Sequence, residues 1–227
     1  GIAKGSGMIA PNMATMLGLI LCDAPLEKDS AQSMLREVAD ESFNCISVEG
    51  HVSTNDTLLL LANGQAGGPV LAGDDLSAFR KALAEVCVEL ARSIPDDGEG
   101  ATHLITIDVA GCADREAAKR IAKTVADSAL VKTAIAGADP NWGRIVSAAG
   151  YAGVPFDPAG VNLKVNGFVL FDQGAPANFD APAVSDSIRD HRETHIELTF
   201  REGTAGARFW TCDLTTEYVH INADYHT

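Results

Sequence analysis

The residues KGSGMIAPNMATMLG, which run from Lys4 to Gly18, contain the most informative pattern in this sequence. A segment with glycine and serine ends at the small residue Ala14, Thr15 follows, and an apolar run begins at Met16. The apolar run is long enough for one buried strand. This order is typical of a chain that cleaves itself before a threonine and then uses the new N-terminus as a catalyst.

Thr15 can act as a nucleophile only if a base takes the proton of its hydroxyl. The α-amine of a chain-terminal threonine can be that base, because its pKa is about 7.7–8.0 whereas that of a lysine is about 10.4. Gly5 and Gly7 let the preceding loop adopt conformations that a branched residue resists. The pattern also has a plainer interpretation, since Ala-Thr pairs are common and a threonine at the start of a strand favours β-structure.

Four later segments make the interpretation more specific. They are Ser53–Thr57, Gly98–Ala101, Asp139–Arg144 and Asn222–Thr227, and together with residues 4–18 they span the chain. These five segments resemble, in the same order, the bifunctional ornithine acetyltransferase/glutamate N-acetyltransferase family of arginine biosynthesis. One segment alone would be a weak signal, whereas five in order are a strong one.

The resemblance implies an α+β fold class, a layered α/β sandwich with stacked sheets and outer helices that is N-terminal-nucleophile-like. It also implies autoproteolysis between Ala14 and Thr15. Residues 1–14 are then the end of an upstream (α) chain, and residues 15–227 are a downstream (β) chain of one or two closely packed subdomains. The implied reaction moves an acetyl group from N2-acetylornithine to glutamate by a ping-pong mechanism through acetyl-Thr15.

The resemblance further implies substrate-binding roles for Lys4, Glu99, Asn222 and Thr227, in addition to Thr15. Lys4 lies in the Lys-Gly-Ser-Gly-Met motif and would bind a carboxylate. Glu99 lies between two glycines, which allow the backbone to approach a ligand closely. Considered by themselves, Lys4 is an ordinary solvated charge, Glu99 belongs to an acidic turn, and the C-terminal segment is a tail that frays.

Asp56, Asn141 and Arg144 also lie in the matching segments. We expect them to cap helices and to form internal pairs, and Arg144 is in addition a candidate for binding a substrate carboxylate. His51, Ser53 and Asp56 have the residue types of a catalytic triad, but their crowding within six residues makes the required geometry unfavourable. We therefore discount a triad.

The resemblance also implies partners. The family's oxyanion hole comes from the upstream chain, which is therefore an expected partner, and the α–β units are expected to form a higher oligomer. The covalent mechanism needs no cofactor and no metal, and acetyl-coenzyme A is a further candidate donor. Two alternatives stay open: an N-terminal-nucleophile amidase or aminopeptidase that hydrolyses its acyl-enzyme, and a structural or interaction domain in which the bond before Thr15 never breaks.

The composition argues against several classes of function. A net charge of −14 is unfavourable for a nucleic-acid partner, because phosphates must be neutralised by basic side chains. Five scattered cysteines without a Cys-x-x-Cys pair indicate neither a disulfide framework nor a zinc site, and they favour a cytoplasmic location. No apolar run approaches the roughly 20 residues of a membrane span, and we expect no signal peptide.

Local patterns predict several elements outside these motifs. A continuous apolar run at 58–62 predicts a strand that is buried on both faces, and residues 130–136 are predicted to form another strand. Asp139-Pro140 predicts the cap and first turn of a helix. Asn166-Gly167 predicts the turn of a β-hairpin in a β-rich final third.

Overall fold

The computed structural model describes residues 1–9, 16–51 and 55–224. The chain divides into two compact units, Gly1–Ile94 and Pro95–Thr227. Both units contain helices and strands, in agreement with the predicted α+β composition.

The first unit is built on a three-stranded sheet. Its strands are β1 (Ile2–Lys4), β2 (Leu17–Cys22) and β3 (Thr57–Ala62), in that order across the sheet. β1 is antiparallel to β2, whereas β3 is parallel to it. The chain passes through α1 (Lys28–Glu41) between β2 and β3, because parallel neighbours need a long crossover, and α2 (Gly73–Asp96) follows β3.

The prediction that residues 58–62 are buried on both faces is wrong. Leu59 and Leu61 of β3 are 48% and 54% exposed, and Leu17 and Leu21 of β2 are exposed to a similar extent. Leu21 pairs with Leu61 in the register, and alternate residues of a strand share a face, so these side chains lie on one face of the sheet. A continuous apolar run shows that both faces of a strand are apolar, which is not evidence that both are covered.

The second unit is built on a six-stranded sheet. Its strands are β4 (Leu104–Cys112), β5 (Asn162–Val165), β6 (Phe168–Asp172), β7 (Ala175–Pro176), β8 (Glu193–Thr199) and β9 (Ala205–Cys212). Their order across the sheet is β7-β6-β5-β8-β4-β9; β4 and β8 are parallel, and the other neighbours are antiparallel. β5 and β6 form the predicted hairpin, and Asn166 and Gly167 have the positive φ values (48° and 81°) of a tight hairpin turn.

Helices complete the second unit. They are α3 (Arg115–Ala126), α4 (Ala129–Ala136), α5 (Trp142–Gly150), α6 (Ala181–Arg189) and α7 (Thr216–Asp224). α3 packs against β4 and β9. The side chains of Ile105, Ile107 and Val109 are buried, whereas Thr106 and Asp108, which alternate with them along β4, are only partly buried. One face of this sheet is therefore the core face, as the alternation of apolar and polar residues requires.

The strand predicted at residues 130–136 is instead the helix α4. Ser128 caps the helix, since its hydroxyl accepts a hydrogen bond from the Val131 N–H over 3.4 Å. A short segment that is mostly apolar, here with Lys132 and Thr133 in it, is compatible with a strand and with a helix, so its pattern alone could not distinguish them. The serine before the run was the available signal for a helix.

The helix predicted to start at Asp139-Pro140 begins later, at Trp142. Its cap is Asn141, whose side-chain oxygen accepts a hydrogen bond from the Arg144 N–H over 3.2 Å. The prediction of a helix was therefore right and its cap was wrong. In the final third of the chain, α6 and α7 are helices that the sequence reasoning did not find.

Candidate active site

Lys4 is the first predicted binding residue that the structure describes. It is the last residue of β1 and pairs with Leu17 of β2. Leu17 follows Thr15 by two residues in the chain, so the sheet register fixes Lys4 beside the strand that begins after the predicted nucleophile. Ala14 and Thr15 themselves lie outside the described residues.

Ile9 is an anchor before this undescribed segment. Its side chain is fully buried, and its backbone makes two hydrogen bonds in the first unit. The Ile9 N–H donates to Oε1 of Glu49 over 2.9 Å, and the Ile9 carbonyl oxygen accepts from the Val48 N–H over 2.7 Å. Val48 and Glu49, which are consecutive in the chain, therefore form hydrogen bonds with both polar groups of the Ile9 backbone.

Met16 is a similar anchor after the segment. The Met16 N–H donates to Oδ1 of Asp56 over 2.6 Å, and its carbonyl oxygen accepts from the Thr57 N–H over 2.9 Å. The Met16 side chain is also buried. Again two consecutive residues, a carboxylate and the next backbone N–H, hold the backbone next to the predicted cleavage site.

The Asp56 carboxyl group is unusual in its environment. Burial raises its pKa, and the hydrogen bond from the Met16 N–H opposes that rise without cancelling it. Its second oxygen, Oδ2, is buried and has no hydrogen-bond partner within residues 1–9, 16–51 and 55–224. We expected Asp56 to cap a helix or to form an internal pair. It forms an internal hydrogen bond, and its partner is the backbone N–H of Met16, the residue after Thr15.

In the second unit, the structure brings together two predicted binding residues that are far apart in sequence. Nδ2 of Asn222, on α7, donates to Oε2 of Glu99 over 2.9 Å. The same amide donates to the Tyr218 carbonyl oxygen over 3.0 Å, which fixes the orientation of the Asn222 side chain on its helix. The C-terminal segment up to Asp224 is therefore helical rather than a frayed tail, and Thr227 lies outside the described residues.

Gly100 makes this contact sterically possible. Its φ is +70°, and a Cβ atom at this position would lie 2.5 Å from the Tyr218 backbone nitrogen. The Thr215 hydroxyl donates to the Gly100 carbonyl oxygen over 2.7 Å, so the loop and the start of α7 are also joined by a hydrogen bond. Glu99 and Asn222 meet because a residue without a side chain lets the two backbones approach each other.

Asp213 forms hydrogen bonds with the residues that follow the loop of Glu99 and Gly100. Its Oδ1 accepts from the backbone N–H groups of Thr102 and His103, and its Oδ2 accepts from the Thr102 hydroxyl over 2.5 Å and lies 3.0 Å from Nδ1 of His103. Burial alone would raise the pKa of Asp213, but the hydrogen bonds from His103 and Thr102 outweigh burial and lower that pKa. Sequence reasoning missed Asp213, since nothing in the local pattern connects it to residues 102 and 103.

Arg144 has an internal role. Its Nη1 donates to the Leu130 carbonyl oxygen over 3.0 Å and to the Thr133 hydroxyl over 3.3 Å, which joins α5 to α4. Asn141 caps α5, as described above. The structural roles expected for these two residues are therefore confirmed, and binding of a substrate carboxylate by Arg144 stays a prediction.

Within residues 1–9, 16–51 and 55–224, no group of three or more His, Cys, Asp or Glu side chains is arranged to hold a metal ion. The cysteines of this part of the chain are not paired in disulfides. In the same residues, every helix is too short or too polar to span a bilayer.

Comparison with known proteins agrees with the motifs. The sequence model of the ArgJ family matches residues 1–227. The chain belongs to the ArgJ family. Two family members named arginine biosynthesis bifunctional protein ArgJ, from Rhodopirellula baltica and Dehalococcoides mccartyi, are 46% and 50% identical to it. Each alignment covers 100% of this chain but 56% of the relative, so the chain spans little more than half the length of these ArgJ proteins.

A solved ArgJ structure confirms the fold class. The crystal structure of the ArgJ protein from Bacillus halodurans shares 38% sequence identity with this chain and superposes with a TM-score of 0.91. The match covers 93% of this chain and 100% of the solved chain. The layered α+β, N-terminal-nucleophile-like fold class and the resemblance to the family are thus both confirmed.

The Gly100→Ala substitution should displace α7. The added Cβ would clash with the Tyr218 backbone and the positive φ would be strained, so we expect a loss of roughly 1–3 kcal/mol in the free energy of unfolding. Amide hydrogen exchange should also become faster in α7. The control is Gly150→Ala, where a Cβ atom meets no heavy atom within 4 Å; equal effects of the two variants would contradict the account.

The Asp213→Ala substitution should destabilise the chain in a pH-dependent way. Removing this buried acceptor leaves donors of Thr102 and His103 without a partner, which should cost about 1–3 kcal/mol for each donor left unsatisfied at pH 7. Because the pKa of Asp213 is lowered on folding, the contribution is complete above the unfolded-state pKa of about 3.9 and is lost as the pH falls through the folded-state pKa. The difference in free energy of unfolding between wild type and variant, measured with urea, should therefore begin to converge as the pH falls below about 4 and should narrow further through the folded-state pKa. An exposed control, Asp190→Ala, should show no such convergence.

Proposed function

We propose that this chain is the downstream part of a glutamate N-acetyltransferase that moves an acetyl group from N2-acetylornithine to glutamate. The observation that carries the proposal is the match of the ArgJ family to all 227 residues, including the five motif segments. The relatives' name, an arginine biosynthesis bifunctional protein, agrees with a reaction that produces acetylglutamate and releases ornithine. Acetyl-coenzyme A is a further candidate donor, and we expect the reaction to take place in the cytoplasm.

We infer that a longer precursor is cleaved between Ala14 and Thr15. The chain matches 56% of the curated relatives but 100% of the solved chain from Bacillus halodurans, which is what processing of a precursor into two chains would produce. In the precursor, the Thr15 hydroxyl attacks the Ala14 carbonyl carbon, the peptide C–N bond breaks, and an ester forms. Water then hydrolyses the ester, which leaves a carboxylate on Ala14 and restores the hydroxyl of Thr15.

The proposed transfer is a ping-pong reaction. The α-amine of Thr15 takes the hydroxyl proton while Oγ attacks the acetyl carbonyl of N-acetylornithine, and ornithine leaves with that proton on its amine. Acetyl-Thr15 remains. The amine of glutamate then attacks the ester carbonyl, so that acetylglutamate leaves and the Thr15 hydroxyl is regained.

The described binding residues suit these substrates. Both amino acids carry an α-carboxylate, which the Lys4 ammonium would bind, and ornithine carries a second amine, which the Glu99 carboxylate would bind. Asn222 supports this assignment through its hydrogen bond to one Glu99 oxygen, which holds the carboxylate in one orientation. Thr227 is proposed as a further contact.

The upstream chain is the proposed partner, because it would supply the oxyanion hole. Each such donor is worth on the order of 10²–10³ in rate, so this chain alone should transfer acetyl groups very slowly. The α–β units are also expected to assemble into a higher oligomer, and no cofactor is required.

The Glu99→Gln substitution tests the binding site in the mature two-chain enzyme. Glutamine keeps an oxygen that can accept from Asn222 but loses the charge, so kcat/KM for N-acetylornithine should fall about 10–100-fold. We expect most of the loss in KM, because the contact is made to a part of the substrate that does not react. The control is Glu217→Gln, an exposed carboxylate on α7, which should change kcat/KM less than about threefold. Equal effects of the two variants would remove Glu99 from the binding site.

A partition experiment separates the transferase from the amidase alternative. Mature enzyme is supplied with acetyl-labelled N-acetylornithine, with and without glutamate, and acetylglutamate and free acetate are both quantified. A transferase should form acetylglutamate in proportion to ornithine released, with little acetate. Steady release of acetate, whether or not glutamate is present, would show a hydrolase instead.

A further inference from the structure

Glu99 lies in a short loop, residues 97–100, that follows the last residue of α2, Asp96. Two of the loop residues are the glycines Gly98 and Gly100, which have more backbone conformations available than other residues. A carboxylate in such a loop binds an amine well only if the loop is already held in one conformation, because ordering a loop on binding costs free energy. The groups that hold this loop therefore determine how well Glu99 can bind a substrate.

The Arg192 side chain joins the two ends of this loop. Its Nε donates to Oδ1 of Asp96 over 2.9 Å, and its Nη2 donates to the Asp96 carbonyl oxygen. Its Nη1 donates to the Ala101 carbonyl oxygen over 3.2 Å. Asp96 comes directly before the loop and Ala101 directly after it, so one planar guanidinium fixes the distance between the ends of the segment that contains Glu99.

The backbone of Arg192 is itself fixed to the six-stranded sheet. Its carbonyl oxygen accepts a hydrogen bond from the Leu104 N–H over 2.8 Å, and the next residue, Glu193, pairs with Leu104 in the register of β4 and β8. Leu104 is buried in the core of the second unit. Arg192 therefore connects the loop to a rigid part of the fold rather than to another loop.

The contribution of Arg192 lies in the position of the backbone more than in the attraction between charges. The Arg192 and Asp96 side chains are 47% and 46% exposed, and a salt bridge exposed to this extent is weak. Two of the three hydrogen bonds, however, are made to backbone carbonyl oxygens. One of these is at the end of α2, where helix carbonyls lack intrahelical partners and the helix dipole favours a cation.

A neighbouring arginine does not make such contacts and provides a matched comparison. Arg189, on α6, donates to Oδ1 of Asp186 over 2.5 Å and to the Ser185 hydroxyl over 2.8 Å. Both partners belong to its own helix. The two arginines therefore differ in what they hold: Arg189 pairs within α6, whereas Arg192 joins the residues on both sides of the loop of Glu99.

We propose that Arg192 is a positioning residue for Glu99, an inference that rests on the proposed function. By holding Asp96 and Ala101, it keeps the loop in the conformation in which Asn222 also contacts Glu99. The Glu99 carboxylate is then ready to bind the second amine of ornithine. Glutamate has no second amine, so Arg192 serves the reaction of the acetyl donor and not that of the acceptor.

The test is the Arg192→Lys substitution in the mature two-chain enzyme. Lysine keeps the charge, but its single nitrogen on a flexible stem cannot replace the three hydrogen bonds of the guanidinium fork. In a ping-pong reaction, kcat/KM for each substrate reports the half-reaction of that substrate. We expect kcat/KM for N-acetylornithine to fall about 3–10-fold, the effect of roughly one hydrogen bond, mainly through KM. kcat/KM for glutamate should change less than about twofold.

A double variant and a matched control complete the test. If Arg192 acts through Glu99, adding Arg192→Lys to Glu99→Gln should lower kcat/KM for N-acetylornithine less than about twofold further, because the carboxylate to be positioned is already gone. Arg189→Lys makes the same change on α6, and it should alter kcat/KM for either substrate less than about twofold.

The outcomes distinguish this proposal from the proposed function. Wild-type kinetics of Arg192→Lys, in an enzyme that Glu99→Gln impairs, would overturn this proposal and leave the proposed function intact. Equal losses for both substrates, or additive losses in the double variant, would also overturn it, because Arg192 would then support the fold as a whole. A wild-type enzyme that forms no acetylglutamate would contradict the proposed function, and this proposal with it.

Discussion

The hydrogen bonds on both sides of Met16 are the constraint on which the first unit's site depends. Its N–H is held by the Asp56 carboxylate and its carbonyl by the Thr57 N–H, and the parallel pairing of β2 with β3 begins at the next residue. A catalytic chain terminus needs this kind of support, because a new N-terminus otherwise frays and loses its orientation. The sheet thus fixes the strand that begins two residues after the predicted nucleophile.

In the second unit, the contacts hold the carboxylate of Glu99, which lies in a loop, against helix α7 near the C-terminus. Gly100 permits the close approach, the Thr215 hydroxyl fixes it, and Asp213 ties the following residues to β9. Asp213 accepts hydrogen bonds from the Thr102 and His103 N–H groups, and hydrogen bonds to a charged group are stronger than those between neutral groups. Glu99 can therefore present its carboxylate in a defined orientation although it lies in a loop.

The sequence predicted the parts of this structure that local physics determines. The Asn166-Gly167 hairpin followed from turn chemistry, whereas the binding role of Glu99 came from the resemblance and stays a prediction. The prediction of a strand at 130–136 was wrong because a short, mostly apolar segment is compatible with a helix as well as with a strand. The prediction that residues 58–62 are buried on both faces was wrong because an apolar strand does not show whether another element packs on each of its faces.

The contacts of greatest chemical interest were the least predictable. Asp56 meets Met16 across 40 residues, and Asp213 meets Thr102 across 111 residues. Such pairs depend on strand register and chain crossover, which no local pattern encodes. For Asp56 a signal existed, since it lies in one of the matching segments, but its partner could be found only in the folded chain.

The central claim is that Thr15 is a covalent catalyst, and intact mass under denaturing conditions tests it most directly. The precursor is expressed whole, allowed to mature, and exposed to N-acetylornithine without glutamate. The account predicts a chain that begins at Thr15 and carries one acetyl group, which disappears when glutamate is added. A chain that is cleaved but stays unmodified with N-acetylornithine, or one that stays joined to Ala14, would contradict it.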